Sequence, residues 1–273
     1  MTGGVSVKRI GILGAGNMGG AIIRGLMESG YVRPSEAAIY DPNGKAMEAI
    51  SQTWPVTCCT SAAELCEISS MVVFAVKPQL LQKAIDECGE ELLDRAVISI
   101  VAGWTTEMLA DALGRYEARY LRVMPNTPAI VGEGMTALCE DTTFTKEEFS
   151  FAEGIFEAIG KTVILPERMF DGVTALSGSS PAMVYTLMET MADAGVREGI
   201  PRATALTLAA QTVLGSALMV LNSGEHPAAL RDKVCSPAGT TIEAVAALEE
   251  HGFRNAILQA MKDCADRSRA MRE

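Results

Sequence analysis

The segment Val7–Gly20, VKRIGILGAGNMGG, decides how the rest of the chain is read. Ile10, Ile12 and Leu13 fit a short buried strand, and Gly14-Ala15-Gly16-Asn17-Met18-Gly19 then matches the G-x-G-x-x-G spacing of a dinucleotide-binding turn. Each glycine answers a separate steric demand. Gly14 permits the tight turn, Gly16 lets the backbone approach a pyrophosphate, and Gly19 lets the following helix pack closely on the strand. The start of that helix offers unpaired N–H groups and a partial positive charge to the pyrophosphate. The bare spacing also suits a purely structural glycine turn. Here it has the full context: a strand before it, a helix after it with Ala21, Ile22 and Leu26 on one face and Gly30 as stop, and an acid, Asp41, about 20 residues further on.

The chain has 273 residues, 48% of them hydrophobic, which allows one large domain or two modest ones with a sizeable core. A formal charge of -11 without a Lys/Arg cluster lacks the electrostatic footprint of a nucleic-acid binder, so nucleic acid is not expected as a partner. The seven cysteines (58, 59, 66, 88, 139, 235, 264) contain no C-x-x-C pair, and His226 and His251 lie far apart. No metal site is expected, and the scattered thiols suit a reducing cytoplasm. The most apolar stretch, Ile10 to Ile23, is too short and too rich in glycine to span a bilayer, so a soluble cytoplasmic protein without a membrane partner is expected.

Strand and helix signals alternate through the first half. Strands are expected at Ala38–Tyr40, Val56–Cys58, Met71–Ala75, Ala96–Ile100, Tyr120–Val123, Gly134–Leu138 and Thr162–Leu165. Ser61-x-x-Glu64 and Thr145-x-x-Glu148 read as capping boxes that open helices. This alternation predicts a parallel sheet in an α/β Rossmann domain over residues 1–165, with Pro166 as the boundary.

Ligands bind such sheets at the carboxyl ends of the strands, where four places stand out. Asp41 ends the second strand. It fits either a carboxylate that accepts the ribose hydroxyls of NAD while repelling the 2′-phosphate of NADP, or a turn aspartate preceding Pro42. Ala75-Val76-Lys77-Pro78 and Ala102-Gly103 follow two further strands. Lys77 suits a phosphate or a nicotinamide amide, or simple solvation. Asn126, in the rigid loop Met124-Pro125-Asn126-Thr127-Pro128, suits a cofactor contact or a structural turn.

From Glu167 onward strand signals disappear, which predicts an all-α domain over residues 166–273. Pro181 to Gly199 and Pro201 to Leu221 read as long helices apolar nearly all round, as expected of helices that pack against a second copy of the chain. The methionines read as core and interface filler. Ser236-Pro237-Ala238-Gly239-Thr240-Thr241 then leads into a helix. Its free N–H groups and two hydroxyls at a positive dipole end form either a carboxylate pocket or an ordinary helix cap.

Five motifs occur in one order: Gly11 to Gly19, Ala75 to Pro78, Met124 to Pro128, Leu176-Ser177-Gly178-Ser179-Ser180-Pro181-Ala182, and Asp232 to Thr241 with Gly224-Glu225-His226-Pro227 shortly before it. Together they resemble the pyrroline-5-carboxylate reductase family over essentially the whole chain. The resemblance implies reduction of Δ1-pyrroline-5-carboxylate to L-proline by NADPH or NADH. It also implies a Rossmann domain followed by an interlocking dimerisation domain, often in a larger assembly such as a decamer. By that pattern Ala75 to Pro78, Ala102 and Gly103 would contact the cofactor, beside Gly14 to Gly19, Asp41 and Asn126, which the residues themselves mark as cofactor candidates. Ser236, Pro237, Ala238, Gly239, Thr240 and Thr241 would hold the substrate carboxylate, with the Thr241 hydroxyl near the ring nitrogen.

Two positions depart from the pattern. Ala238 stands where the family usually has glycine, and Asp41 replaces the serine or threonine that many members turn towards a 2′-phosphate. Reducing a C=N bond needs no strong base, so a threonine hydroxyl and positioning suffice. Ser179 to Tyr185 contains no lysine, the base that related hydroxyacid dehydrogenases place there, and this favours imine reduction. The alternatives are a non-catalytic NAD(P)-binding redox sensor and a reductase of another cyclic imine carboxylate. His226 reads as structural.

Overall fold

Short apolar runs become the strands of one eight-stranded sheet in a computed structural model that describes residues 9–271. They are β1 (Ile10–Leu13), β2 (Ala37–Tyr40), β3 (Thr57–Cys58), β4 (Met71–Phe74), β5 (Ala96–Ser99), β6 (Arg119–Met124), β7 (Gly134–Cys139) and β8 (Gly160–Leu165), in the order β3-β2-β1-β4-β5-β6-β7-β8. Every residue of β1, β4 and β5 is buried, as expected of parallel strands covered on both faces. The sheet departs from the expected all-parallel arrangement at one place, because β6 and β7 pair antiparallel through Val123 with Leu138 and Met124 with Ala137. The link 125–133 holds a single tight helical turn, Thr127–Val131, and a parallel crossover needs about a dozen residues or more.

Between and beyond the strands lie α1 (Asn17–Ser29), α2 (Gly44–Ser51), α3 (Ala62–Ile68), α4 (Leu81–Cys88), α5 (Thr106–Leu113), α6 (Lys146–Glu157), α7 (Phe170–Val173), α8 (Ser180–Arg197), α9 (Arg202–Ser223), α10 (Pro227–Val234), α11 (Thr240–Glu250) and α12 (Phe253–Ala270). Alternation along the strands sends side chains to two cores. Ile10, Ile12, Val73 and Ile98 join Ile22 and Leu26 of α1 and Ile155 and Phe156 of α6. Leu13, Val72, Phe74 and Val97 join Leu65 of α3, Ile85 of α4 and Leu109 of α5. The sheet is therefore doubly wound.

Helix ends follow the local signals. Gly30 stops α1 at φ 70. The Thr145 hydroxyl accepts from Glu148 N–H at 3.2 Å while the Glu148 carboxylate accepts from Thr145 N–H at 2.9 Å, a complete capping box. The other box closes differently. Ser61 Oγ accepts from Glu64 N–H, but the Glu64 carboxylate reaches one residue further back, to the N–H and hydroxyl of Thr60, each at 2.6 Å.

The described residues fall into two compact units, one running up to Gly178 and resuming at Ala265, the other Ser179–Cys264. In the first unit, buried Arg122 pairs with Glu167 and lies over the Phe170 ring, while the buried Cys139 thiol donates to Glu167 at 3.3 Å. The Ser268 hydroxyl donates to buried Asp171 at 2.8 Å, which fixes the last turns of α12 to α7.

In the second unit, α8 and α9 lie side by side and meet through small residues, with Ala192, Ala205 and Ala209 buried. Their large side chains face outward: Tyr185, Leu208, Leu214, Leu218, Met219 and Leu221 are exposed in the single chain. Among the described residues α9 is the helix long and apolar enough to cross a membrane, with mean hydropathy 1.6 over its most apolar window. The most apolar candidate span is thus α9, not the expected Ile10–Ile23. Glycines and the turn break that earlier run, whereas α9 is a continuous helix of 22 residues.

Candidate active site

Three strand ends converge on the glycine turn. Gly14 N–H donates to Tyr40 O at the end of β2, and Ala75 N–H, just past β4, donates to Leu13 O, both at 2.8 Å. Gly14 turns the chain at φ 107, a conformation closed to residues with a Cβ, and an added Cβ would stand 2.5 Å from Ala75 O. At Gly19 an added Cβ would collide with Gly14 O, so close packing of α1 on the turn demands glycine. At Gly16 the same test meets nothing within 4 Å. The backbone there is open to a ligand, and no side chain caps α1, which leaves its first-turn N–H groups to an incoming anion. The turn lies beside β1, between β2 and β4, at the point where the strand order reverses. These residues fit a dinucleotide.

Asp41 is built into this turn. Its Oδ2 accepts from Ala15 N–H and its Oδ1 from Asn43 N–H, each at 2.7 Å. A cleft of about 620 Å³ opens beside the turn between α1 and α2, bordered by Gly16, Asn17, Arg24, Trp54 and Ile130.

The other strand-end residues divide in two. Pro78 is tied to the segment after β5, where the Trp104 indole, next to Gly103, donates to Pro78 O at 3.4 Å. Gly103 sits at φ 81, and Lys77 is exposed beside Pro78. Asn126 is buried, and its carboxamide is engaged at both ends: Nδ2 donates to Ser177 O at 3.0 Å, and Oδ1 accepts from Met135 N–H at 2.8 Å. The geometry gives this side chain a bracing role within the fold.

The second candidate stretch is a turn followed by a bare helix start. Gly239 N–H donates to Ser236 O at 3.0 Å, with Pro237 and Ala238 as the central residues. Proline at the first central position and positive φ at the second are the type II requirement, and Ala238 meets it at φ 55. The departure from glycine is therefore accommodated in the left-handed region, at a cost of about 1 kcal/mol. Gly239 precedes α11 and supplies no side-chain cap, so the first-turn N–H groups, including those of Thr240 and Thr241, are left without a side-chain partner at the positive end of the helix. A Cβ at Gly239 would strike Ser236 Oγ.

Upstream residues shape α10, the helix that leads into this turn. Gly224 ends α9 at φ 66, and the Glu225 carboxylate accepts from Lys233 Nζ at 2.6 and 2.7 Å. His226 Nδ1 accepts from Ala228 N–H at 3.2 Å as the cap of α10, the structural role expected of it. The presence of Gly-Glu-His-Pro just before Asp-Lys-Val-Cys-Ser was the available signal: an acid and a base eight residues apart around a short helix. No group of three or more His, Cys, Asp or Glu side chains able to hold a metal occurs among the described residues.

A doubly wound sheet with an open glycine turn at its reversal point, followed by a helical unit, defines a dinucleotide-dependent oxidoreductase. Residues 9–103 match the family described as NADP oxidoreductase, coenzyme F420-dependent, and residues 167–271 match pyrroline-5-carboxylate reductase dimerisation. The chain is 45% identical to the pyrroline-5-carboxylate reductase of Escherichia coli (strain K12), over 96% of this chain and 97% of that one. The structure of the Coxiella burnetii pyrroline-5-carboxylate reductase superposes with TM-score 0.90 at 31% identity, over 98% of this chain and all of the other (100%). A crystal structure of the Plasmodium falciparum enzyme with NADP bound gives TM-score 0.87 at 29% identity, over 99% and 100% of the two chains. The chain belongs to the pyrroline-5-carboxylate reductase family.

Proposed function

We propose that this protein reduces the C=N bond of Δ1-pyrroline-5-carboxylate to give L-proline, the last step of proline biosynthesis, with NADPH or NADH as hydride donor. The observation that carries the reading is the bare start of α11: two threonine hydroxyls and uncapped N–H groups behind a Ser-Pro-Ala-Gly turn, in a chain that also holds an open dinucleotide turn. The reduced nicotinamide supplies the hydride; the chain's own residues position and hydrogen-bond.

In this reading Gly14 to Gly19 hold the diphosphate, Asp41 faces a ribose, and Ala75 to Pro78 with Ala102, Gly103 and Asn126 border the rest of the cofactor. Ser236 to Thr241 take the substrate carboxylate through backbone N–H groups and hydroxyls at the positive end of α11. Thr241 donates a hydrogen bond to the ring nitrogen as the imine is reduced. Positioning carries most of the rate, since hydride transfer to an imine needs no strong base.

The exposed leucines of α8 and α9 support self-association as a dimer, and we extend this to a decamer of five dimers working in the cytoplasm. The match of residues 167–271 to a dimerisation family favours this use of α9 over a membrane span. The formal charge of -11 supports the absence of a nucleic-acid partner. The test is direct: purified protein with NAD(P)H and pyrroline-5-carboxylate oxidises the cofactor and yields proline. No turnover above background would remove the proposal.

A further inference from the structure

We infer that Asp41 makes this chain select NADH over NADPH. The inference rests on the reading that the glycine turn takes a dinucleotide, and it concerns the far end of that ligand from the reacting ring.

Asp41 stands just past the carboxyl end of β2, the strand beside β1, with Oδ2 on Ala15 N–H and Oδ1 on Asn43 N–H, each at 2.7 Å. A carboxylate so fixed flanks the diphosphate turn on the side where the adjoining ribose lies in a strand–turn–helix site. Each oxygen accepts one backbone bond and retains a lone pair for a ribose hydroxyl. A 2′-phosphate in the same place brings like charge against a half-buried carboxylate that two backbone bonds hold in position.

Three backbone donors of the surrounding loop turn inward, which leaves a phosphate chiefly the uncapped start of α2 and Lys45. Asn43 N–H points at Asp41, Asp41 N–H at Met47 Sδ (3.2 Å), and Ala46 N–H at Asn43 O (3.0 Å). Pro42 has no N–H to give. Residues 41–46 contain no arginine, and Lys45, the cation of this loop, is exposed at the first turn of α2. The carboxylate thus does two things at once: it closes the loop and the glycine turn together, and it fills the position a 2′-phosphate pocket would leave to donors.

Equilibrium binding of NADH and NADPH, followed by nicotinamide fluorescence, tests the inference without any catalytic step. The native protein is expected to bind NADH at least about tenfold more tightly. Asp41→Asn keeps an oxygen for Ala15 N–H but drops the charge, and is expected to bring the two affinities within about threefold of each other. Asp41→Ser is expected to move the ratio further towards NADPH. The inference is overturned if the native protein binds NADPH as tightly as NADH or more tightly, or if neither substitution moves the ratio. Should one variant fail to fold, the other decides whether the preference belongs to Asp41. Turnover of pyrroline-5-carboxylate is measured separately, so a protein that binds NADH selectively without reducing the imine strikes the proposed function and leaves this inference standing.

Discussion

The glycine turn of the sheet unit and the Ser-Pro-Ala-Gly turn of the helical unit both present bare backbone ahead of a helix, yet they hold their shapes differently. Gly14 at φ 107 and Gly19 under the Gly14 carbonyl leave no room for any side chain, and backbone bonds to the ends of neighbouring strands fix the turn from below. Ala238 at φ 55 occupies a region an alanine tolerates at modest cost, in a loop exposed on the single chain. One turn is complete within its own unit. The other belongs to a unit that buries few side chains by itself and leaves a row of leucines bare, so its rigidity depends on what covers it.

Substitutions can break this contrast, beginning with the largest effect. Gly19→Ala is expected to cost about 3 kcal/mol or more and to abolish dinucleotide binding, because the added Cβ collides with the Gly14 carbonyl; thermal unfolding and nicotinamide fluorescence read both. If the variant binds normally, the first turn is less constrained than its geometry indicates. Thr241→Ala is expected to slow imine reduction roughly tenfold to a hundredfold while leaving cofactor affinity unchanged. An unchanged rate removes Thr241 from the chemistry. Leu214→Asp, placed among the exposed leucines of α9, is expected to weaken self-association by about 2 kcal/mol and to make the Tm depend on protein concentration, with sedimentation as the check.

Two smaller effects sharpen the comparison. Ala238→Gly relieves a left-handed alanine but adds freedom to the unfolded chain, so a net stabilisation of about 0.5 kcal/mol is expected by thermal unfolding, against the heavy loss at Gly19. Cys139 belongs to the sheet unit, where burial, joined by the Glu167 carboxylate, pushes its thiol up to about 12. A pKa raised above its ordinary 9.0 favours the fold fully below that value, and the gain is lost as pH climbs towards about 12. Near pH 8 the native protein is therefore expected to keep Cys139 unalkylated while exposed Cys58 reacts, as peptide mass mapping would reveal.

Much of the sheet unit was legible because its signals are local. Ile10 to Leu13 reads as a strand from composition alone, Gly30 as a stop, and Thr145 with Glu148 as a cap. What escaped depends on direction or distance. Burial looks the same in parallel and antiparallel strands, so the reversal of β7 is carried only by the short link 125–133. The residue types marked Asp41 and Asn126 as polar groups at strand ends, but which N–H each one meets is set by strands and loops that come together only in the fold. The tie between Glu225 and Lys233 lies within one motif, but it exists only once α10 forms and brings Lys233 back towards Glu225.

The bond from Ser268 to Asp171 spans 97 residues and lies wholly inside the sheet unit. A chain that emerges from the ribosome in order must therefore complete its helical hairpin and the Ser236–Gly239 turn before the first unit receives this contact. Biosynthesis makes the glycine turn early and seals the body that carries it late. A chain cut short after Cys264 keeps the entire sheet but lacks the serine that meets Asp171, so it should survive as a looser and more protease-sensitive fold.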